Sequence, residues 1–409
     1  MRQLIRQPTY DVSERPFMII WETTQACDLA CRHCRAEAIP EHDPLSLKTD
    51  EAKRLLEQVD SFGMPRPIFI FTGGDPFKRD DLFDLLAYGN ELGLAMAVSP
   101  SGTPLLNEAN LRRIKENGGK AISLSIDGSN PERHDDFRQV PGSFELTTRG
   151  WQMAREIGLK LQLNTTVTRY NLEDLPQIFR LVLDYGAMTW SLFFLVPTGR
   201  GKAEDEVSPA EYEAVMHFLY DCSKYISAKT TEGHHYKRVV LQRSILDEKG
   251  LNPEDYFDFH PIYYQLTREL EQIVAEKGVE PKDVIRRTPM HINAGNGFVF
   301  VSRRGDVFPS GFMPVSVGNI KEKSLVDIYR DAPLFKDLRS PEKFEGRCGM
   351  CEFVGVCGGS RSRAYALTGD PLAEEPFCTY EPGSFPFQEE LEARLNQKPA
   401  GTPMKMKMN

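Results

Sequence analysis

Residues 17–34 read FMIIWETTQACDLACRHC. An apolar run at 17–21 gives way to polar residues and then to Cys27, Cys31 and Cys34, spaced C-x3-C-x2-C. The run is strand-sized, and the cysteines fall where the loop after a first strand belongs. Further along, similar β-rich runs recur at 68–71 (IFIF), 94–98 (LAMAV), 121–126 (AISLSI), 159–167 (LKLQLNTTV) and 190–196 (WSLFFLV). Amphipathic stretches at 49–62, 80–92, 108–117, 144–157 and 172–185 separate them. Thr49 or Asp50 is placed to cap the first helix, and Gly93, Gly118, Gly158 and Gly186 to stop the later ones. Strand then helix, six times over, predicts parallel strands joined by crossover helices. Near-continuous apolar strands suit a sheet covered on both faces. A doubly wound open sheet and a full or partial TIM-type barrel both satisfy this pattern. Either one carries its chemistry at the carboxyl ends of the strands.

The rest of the chain sets limits. With 409 residues, 40% hydrophobic and 27% charged, it is long and apolar enough for a large core. A net charge of -9 argues against a nucleic-acid binder that works by neutralising phosphate. No apolar run approaches the roughly 20 residues of a membrane helix, and MRQLIRQPTYDV lacks a signal core. The expected compartment is the cytosol, with no membrane partner. The organisation expected is a segment 1–16, a βα core at 17–200, and a more polar, helical connecting region at 201–296, with Ser208-Pro209 opening a helix. A domain at 297–395 follows, starting with a hairpin around Arg304-Gly305-Asp306, and then a basic, disordered tail at 396–409.

Eight cysteines are too sparse for a disulfide scaffold. Seven of them lie in two tight groups, which reads as metal or cluster ligation. Three closely spaced thiolates suit three irons of a [4Fe–4S] cluster, leaving the fourth iron for a substrate or cofactor. Zinc remains open, with His33 as the fourth ligand; a redox dithiol leaves one cysteine surplus. The second group, Cys348, Cys351, Cys357 and Cys378, is spaced C-x2-C-x5-C-x20-C and suits either zinc or a saturated [4Fe–4S] cluster; spacing alone does not decide. Cys222 stands alone on a helical pattern and reads as a buried structural thiol.

The C-x3-C-x2-C loop after a first strand, with Gly73-Gly74-Asp75-Pro76 after the second, resembles the radical SAM superfamily. The resemblance covers about residues 17–382. It implies a partial (βα)6 TIM-type barrel, α/β in class. It also implies a [4Fe–4S] cluster on Cys27, Cys31 and Cys34 whose open iron binds S-adenosylmethionine. Reductive cleavage of that cofactor yields a 5′-deoxyadenosyl radical that abstracts hydrogen. Gly73, Gly74 and Asp75 stand where the family has Gly-Gly-Glu-Pro against the methionine amino group; Asp for Glu is a departure. Ser125, Asp127, Arg138 and Asn164 stand where further cofactor contacts are common. The later C-x2-C-x5-C resembles the SPASM/twitch extension and implies an auxiliary [4Fe–4S] cluster. Ser310 replaces a cysteine usual in two-cluster versions, so one auxiliary cluster is expected, two clusters in all.

The wording of 20–38, 193–208, 309–320 and 348–372 looks most like the tetrapyrrole-modifying branch of haem biosynthesis. That implies an oxidoreductase that decarboxylates side chains of a tetrapyrrole, fed by a reductase, ferredoxin or flavodoxin. His234 and His235, beside Lys237 and Arg238, are candidate substrate contacts, as are Arg200 and His291; ordinary surface roles are the alternative. Arg361 and Arg363 stand beside the second cysteine group, to tune it or to pair acids. A peptide maturase is the competing enzyme reading, although the 16 residues ahead of the first strand are too short for its peptide-binding domain. A zinc-stabilised binding module leaves GGDP and six βα units unexplained.

Overall fold

A computed structural model describes residues 10–282 and 292–396; His291 and residues 397–409 of the tail lie outside the described residues. The strands are β1 (Met18–Glu22), β2 (Ile68–Thr72), β3 (Ala95–Val98), β4 (Gly119–Ser125), β5 (Lys160–Val167), β6 (Thr189–Phe194), β7 (Ser227–Thr231), β8 (Phe298–Val301) and β9 (Val307–Phe308). They form one open sheet in the order β7-β6-β5-β4-β3-β2-β1-β8-β9. All neighbours are parallel except β8 and β9, which form the expected antiparallel hairpin. The six strands expected in the core are present, in sequence order. Two more parallel strands extend them: β7, inside the region read as helical, and β8, which returns to the free edge of β1.

Each strand shows period-two alternation. One face is buried against helices: Trp21, Phe71, Leu124, Leu163, Trp190 and Ala228 belong to the main core. Helices Thr49–Asp60, Leu82–Glu91, Glu108–Glu116, Ser143–Ile157 and Leu175–Tyr185 supply this cover between successive strands. Fully burying a large apolar side chain such as Phe71 is worth about 1.5–3 kcal/mol. The first helix begins at Thr49, so its cap is Lys48 rather than Thr49 or Asp50; the Glu51 carboxylate accepts from the Lys48 N–H at 2.8 Å.

The opposite face is not uniformly apolar, contrary to the expectation of near-continuous apolar strands. Helices cover only the outer face, and the inner face bounds a cavity. Across β8, β1, β2 and β3 it carries Phe300, Ile20, Ile70 and Ala97 in register. Across β4, β5, β6 and β7 the aligned row is Ser125, Asn164, Ser191 and Lys229.

The later chain packs back onto this sheet. Ser208 caps helix Pro209–Cys222, as expected, by a reciprocal pair with Glu211. That helix contacts Tyr236–Lys249 and Pro261–Lys277. Cys222 is fully buried in the core, a structural thiol. Gln58 on the first helix donates to Ile320 O and accepts from Leu325 N, tying the C-terminal region to the sheet. The last helix, Gln388–Leu395, lies on Tyr236–Lys249, where Arg394 pairs with Glu248 at 2.6 Å.

Candidate functional site

The loop after β1 bends so that Cys27 and Cys31 are buried and Cys34 half-buried. Donors converge on their sulfurs: Leu29 N–H on Cys27 at 3.4 Å, Ala38 N–H on Cys34 at 3.5 Å and Arg138 Nη1 on Cys31 at 3.5 Å. Ser101 Oγ lies 3.4 Å from Cys27 Sγ. Burial pushes the Cys27 thiol up to about 11, and burial also raises Cys31. Buried thiols of this kind lose their protons when a metal centre takes the sulfur.

The turn after β2 is locked onto this loop. Gly74 N donates to Thr24 O and Asp75 N to Ala26 O, both at 2.7 Å. Gly73 has φ +151°, and a Cβ there would lie 2.4 Å from Thr24 O; at Gly74 it would lie 2.4 Å from Ala26 O. Only glycine permits this approach. The two glycines, the three cysteines, Ser125, Asn164 and Arg138 border one cavity of about 200 Å³ at the carboxyl ends of the strands. Phe193, Phe194, Leu195 and Phe312 form its apolar wall.

Two expected cofactor carboxylates are engaged elsewhere. Asp75 is fully buried; it accepts from Thr103 Oγ1 at 2.7 Å and Phe77 N at 3.2 Å, and so caps the turn that starts at Pro76. The shorter side chain folds back on its own turn, and the cavity meets the glycine backbone instead. Asp127 accepts from Thr166 N at 2.6 Å and pairs with Arg138. It borders the cavity only through that arginine, whose buried Nε has no partner.

Arg200 is also placed differently from a substrate contact. Its Nε donates to Cys31 O at 3.0 Å, its Nη1 to Ala38 O at 3.1 Å, and its backbone N–H to Cys34 O at 3.0 Å. It clamps the cysteine loop from the far side. His33, the possible zinc ligand, stacks on Phe137 at 4.6 Å, and burial lowers it to about 4.

Cys348, Cys351, Cys357 and Cys378 lie close to one another, apart from the cavity. Glu375 N–H and Arg361 Nη2 approach Cys348 Sγ at 3.4 and 3.5 Å, and Gly359 N–H approaches Cys357 Sγ at 3.4 Å. Burial pushes the Cys351 and Cys357 thiols up to about 12 and raises Cys378. The cations Lys237, Arg238 and Arg361 face this group. Among the described residues no three His, Cys, Asp or Glu side chains are set to hold one metal ion.

The histidine pair belongs to this second region, not to the cavity. His235 is buried, both ring nitrogens lack partners, and burial lowers it to about 3; it meets Tyr212 edge-on at 5.6 Å. His234 is half-buried beside it. Neither borders the cavity. Arg363 is fully buried and pairs acids: it donates to Glu206 at 3.2 Å and to Leu195 O at 2.6 Å, with Glu375 at 3.6 Å. Ser310, at the position of the absent thiol, donates to Glu232 at 3.1 Å, with Ser360 and Ser362 on the same carboxylate.

Sequence reasoning passed over Ser101, which donates to Gly74 O at 2.9 Å and so joins the glycine turn to Cys27. Its only signal is its place just past the third strand.

Residues 21–182 match the radical SAM superfamily. AdoMet-dependent heme synthase of Methanosarcina barkeri is 40% identical over 374 residues, spanning 91% of this chain and 99% of its own. The same-named protein of Nitratidesulfovibrio vulgaris is 40% identical over 369 residues, spanning 89% and 92%. Among solved structures, Streptococcus suis SuiB bound to S-adenosylmethionine is 16% identical, with a TM-score of 0.64 over 90% of this chain and 78% of that one. The last likeness is one of fold.

Proposed function

The chain belongs to the radical SAM superfamily, and on that premise we propose that it oxidatively decarboxylates propionate side chains of a tetrapyrrole such as iron-coproporphyrin III to vinyl groups. The observation that carries the reading is end-to-end 40% identity to heme synthases, joined to a cysteine loop and glycine turn that meet at one cavity. The family implies a [4Fe–4S] cluster and S-adenosylmethionine. The residues present fit them: three thiols with convergent donors, a glycine cradle, and an unpartnered buried guanidinium nitrogen beside the cavity.

In this reading Cys27, Cys31 and Cys34 hold the first cluster. Gly73 and Gly74 offer backbone to the cofactor, and Ser125, Asn164 and Arg138 offer side chains. Asp127 aims Arg138, Asp75 fixes the glycine turn, and Arg200 fixes the cysteine loop. Cys348, Cys351, Cys357 and Cys378 saturate an auxiliary [4Fe–4S] cluster, supported by the cations that face them and offset its negative charge. When bound, these groups supply one-electron cleavage of the sulfonium, hydrogen-atom abstraction and an electron acceptor. The aromatic wall at Phe193, Phe194 and Phe312 excludes water from the cavity. For each propionate, one hydrogen atom, one CO2 and one electron leave, and a vinyl group remains. A ferredoxin- or flavodoxin-type donor supplies reducing electrons.

The test is anaerobic reconstitution followed by iron and sulfide counts. S-adenosylmethionine, dithionite and iron-coproporphyrin III are then added, and products followed by mass spectrometry. The expected result is about eight irons, deoxyadenosine release and loss of two propionate carboxyls with two hydrogens. Deoxyadenosine with unchanged porphyrin overturns the substrate; zinc in place of iron overturns the chemistry.

A further inference from the structure

The polar half of the inner face ends in a cation that the cofactor site leaves unused. On β7, Ala228 is buried in the main core, so the alternate residues Ser227, Lys229 and Thr231 face inward. The register is Ser125–Asn164–Ser191–Lys229 across four adjacent strands. The first two border the cavity. Strands lie about 4.8 Å apart, so Lys229 stands about 10 Å from Asn164 along the same row.

Lys229 forms no hydrogen bond or ion pair among the described residues, unlike Lys237, whose Nζ donates to Ile292 O at 3.1 Å. Next to it, Ser191 Oγ is buried and likewise without a partner. Two donors therefore stand side by side on the inner wall with no acceptor among the described residues. Burial alone lowers the Lys229 ammonium to about 8, with no carboxylate nearby to oppose the shift. An inward cation held without a counter-ion is costly, and an incoming carboxylate removes that cost. The facing wall, at Phe300, Ile20, Ile70 and Ala97, is apolar. The inner surface is thus divided between one side for hydrocarbon and one for charge.

We propose that Lys229, with Ser191 beside it, anchors a carboxylate of the substrate across the barrel from the cysteine loop. This rests on the tetrapyrrole reading, in which the carboxylate is a propionate. It assigns the anchoring role to β7 rather than to Arg200, whose Nε and Nη1 are taken by carbonyls of the cysteine loop.

The test measures iron-coproporphyrin III binding to the reconstituted protein by absorbance titration, with KM and kcat from turnover. Lys229→Met should raise Kd and KM roughly 10- to 100-fold, the range for losing a charge-assisted hydrogen bond, with a much smaller change in kcat. Lys229→Arg should restore Kd to within a few-fold of wild type, because the charge returns. Equal Kd in wild type and Lys229→Met overturns the anchor while leaving the tetrapyrrole reading intact. A loss that Lys229→Arg does not rescue, or one confined to kcat, also overturns it. Failure of the wild-type protein to bind the porphyrin overturns the tetrapyrrole reading, and the propionate with it.

Discussion

Gly74→Ala is a sharp test of how the site is assembled. The new methyl would lie 2.4 Å from Ala26 O and 2.6 Å from Gln25 O, both backbone atoms of the cysteine loop. Ordinary contact begins near 3.4 Å, so the loop must retreat by about 1 Å. Flexible side chains are not the obstacle, so the strain cannot relax cheaply. The retreat strains the 2.7 Å bonds from Gly74 N to Thr24 O and from Asp75 N to Ala26 O. Overpacking costs about 1–3 kcal/mol and a stranded buried hydrogen-bonding group about 1–3 more. The sum is below the stability of most folded domains, so the variant should fold while the loop shifts. Ala26 adjoins Cys27, and the displacement acts directly on the first cysteine group. Reconstituted Gly74→Ala should keep wild-type secondary structure by circular dichroism, hold about four irons instead of about eight, and cleave little S-adenosylmethionine. Gly355→Ala is the control, since a Cβ there meets nothing within 4 Å. Full iron content and wild-type cleavage in Gly74→Ala would refute the close-approach argument.

Cys357→Ala should lose about four irons and the vinyl product while still releasing deoxyadenosine; normal product from this variant would sink the auxiliary-cluster reading. Arg363→Met leaves Glu206 and Glu375 buried without their cation, so denaturant melts should show a loss of about 3–5 kcal/mol; a change under about 1 kcal/mol would contradict the pairing. Burial pushes the Glu206 carboxyl up to about 7, outweighing the lowering by Arg363. The folded protein therefore binds this proton more tightly than the unfolded chain. The resulting stability is present below about pH 4.5 and is lost as pH rises through 7, on the order of 3 kcal/mol. Glu206→Gln should flatten that slope in melts from pH 4.5 to 8; parallel curves would rule it out.

The βα core was readable because its outer face is apolar at every second residue, as in the 68–71 and 159–167 runs. Strand β7 was not, since SAKTT has only Ala228 facing the core and polar residues facing in. The pairing of β8 with β1 joins residues far apart in sequence, which no local pattern carries. At the site, the cysteine spacing and the double glycine identified the loop and turn. Which atoms they leave free was not legible: Asp75 is taken by Thr103 and Asp127 by Arg138. Arg200 illustrates the same limit. A loop arginine near a strand end looks the same in sequence whether it faces a ligand or, as here, the carbonyls of the neighbouring loop. His235 reads as a candidate substrate contact, or else a surface residue, beside His234, yet it is buried against Tyr212 and away from the cavity. Ser101 belongs to no motif and emerges only when β3 is laid beside β2.

The late return of β8 also has a meaning in time. On the ribosome, β1 gains its first neighbour when β2 emerges, but its other edge waits for Phe298–Val301, roughly 225 residues later. At synthesis rates of about 5–20 residues per second, that interval lasts on the order of 10–50 s. For that long, the strand that presents the cysteine loop is a sheet edge with open hydrogen-bonding groups. Sealing of that edge is thereby coupled to synthesis of roughly the last quarter of the chain, so a nascent protein that stalls before Phe298 carries its cysteine loop on an open strand edge.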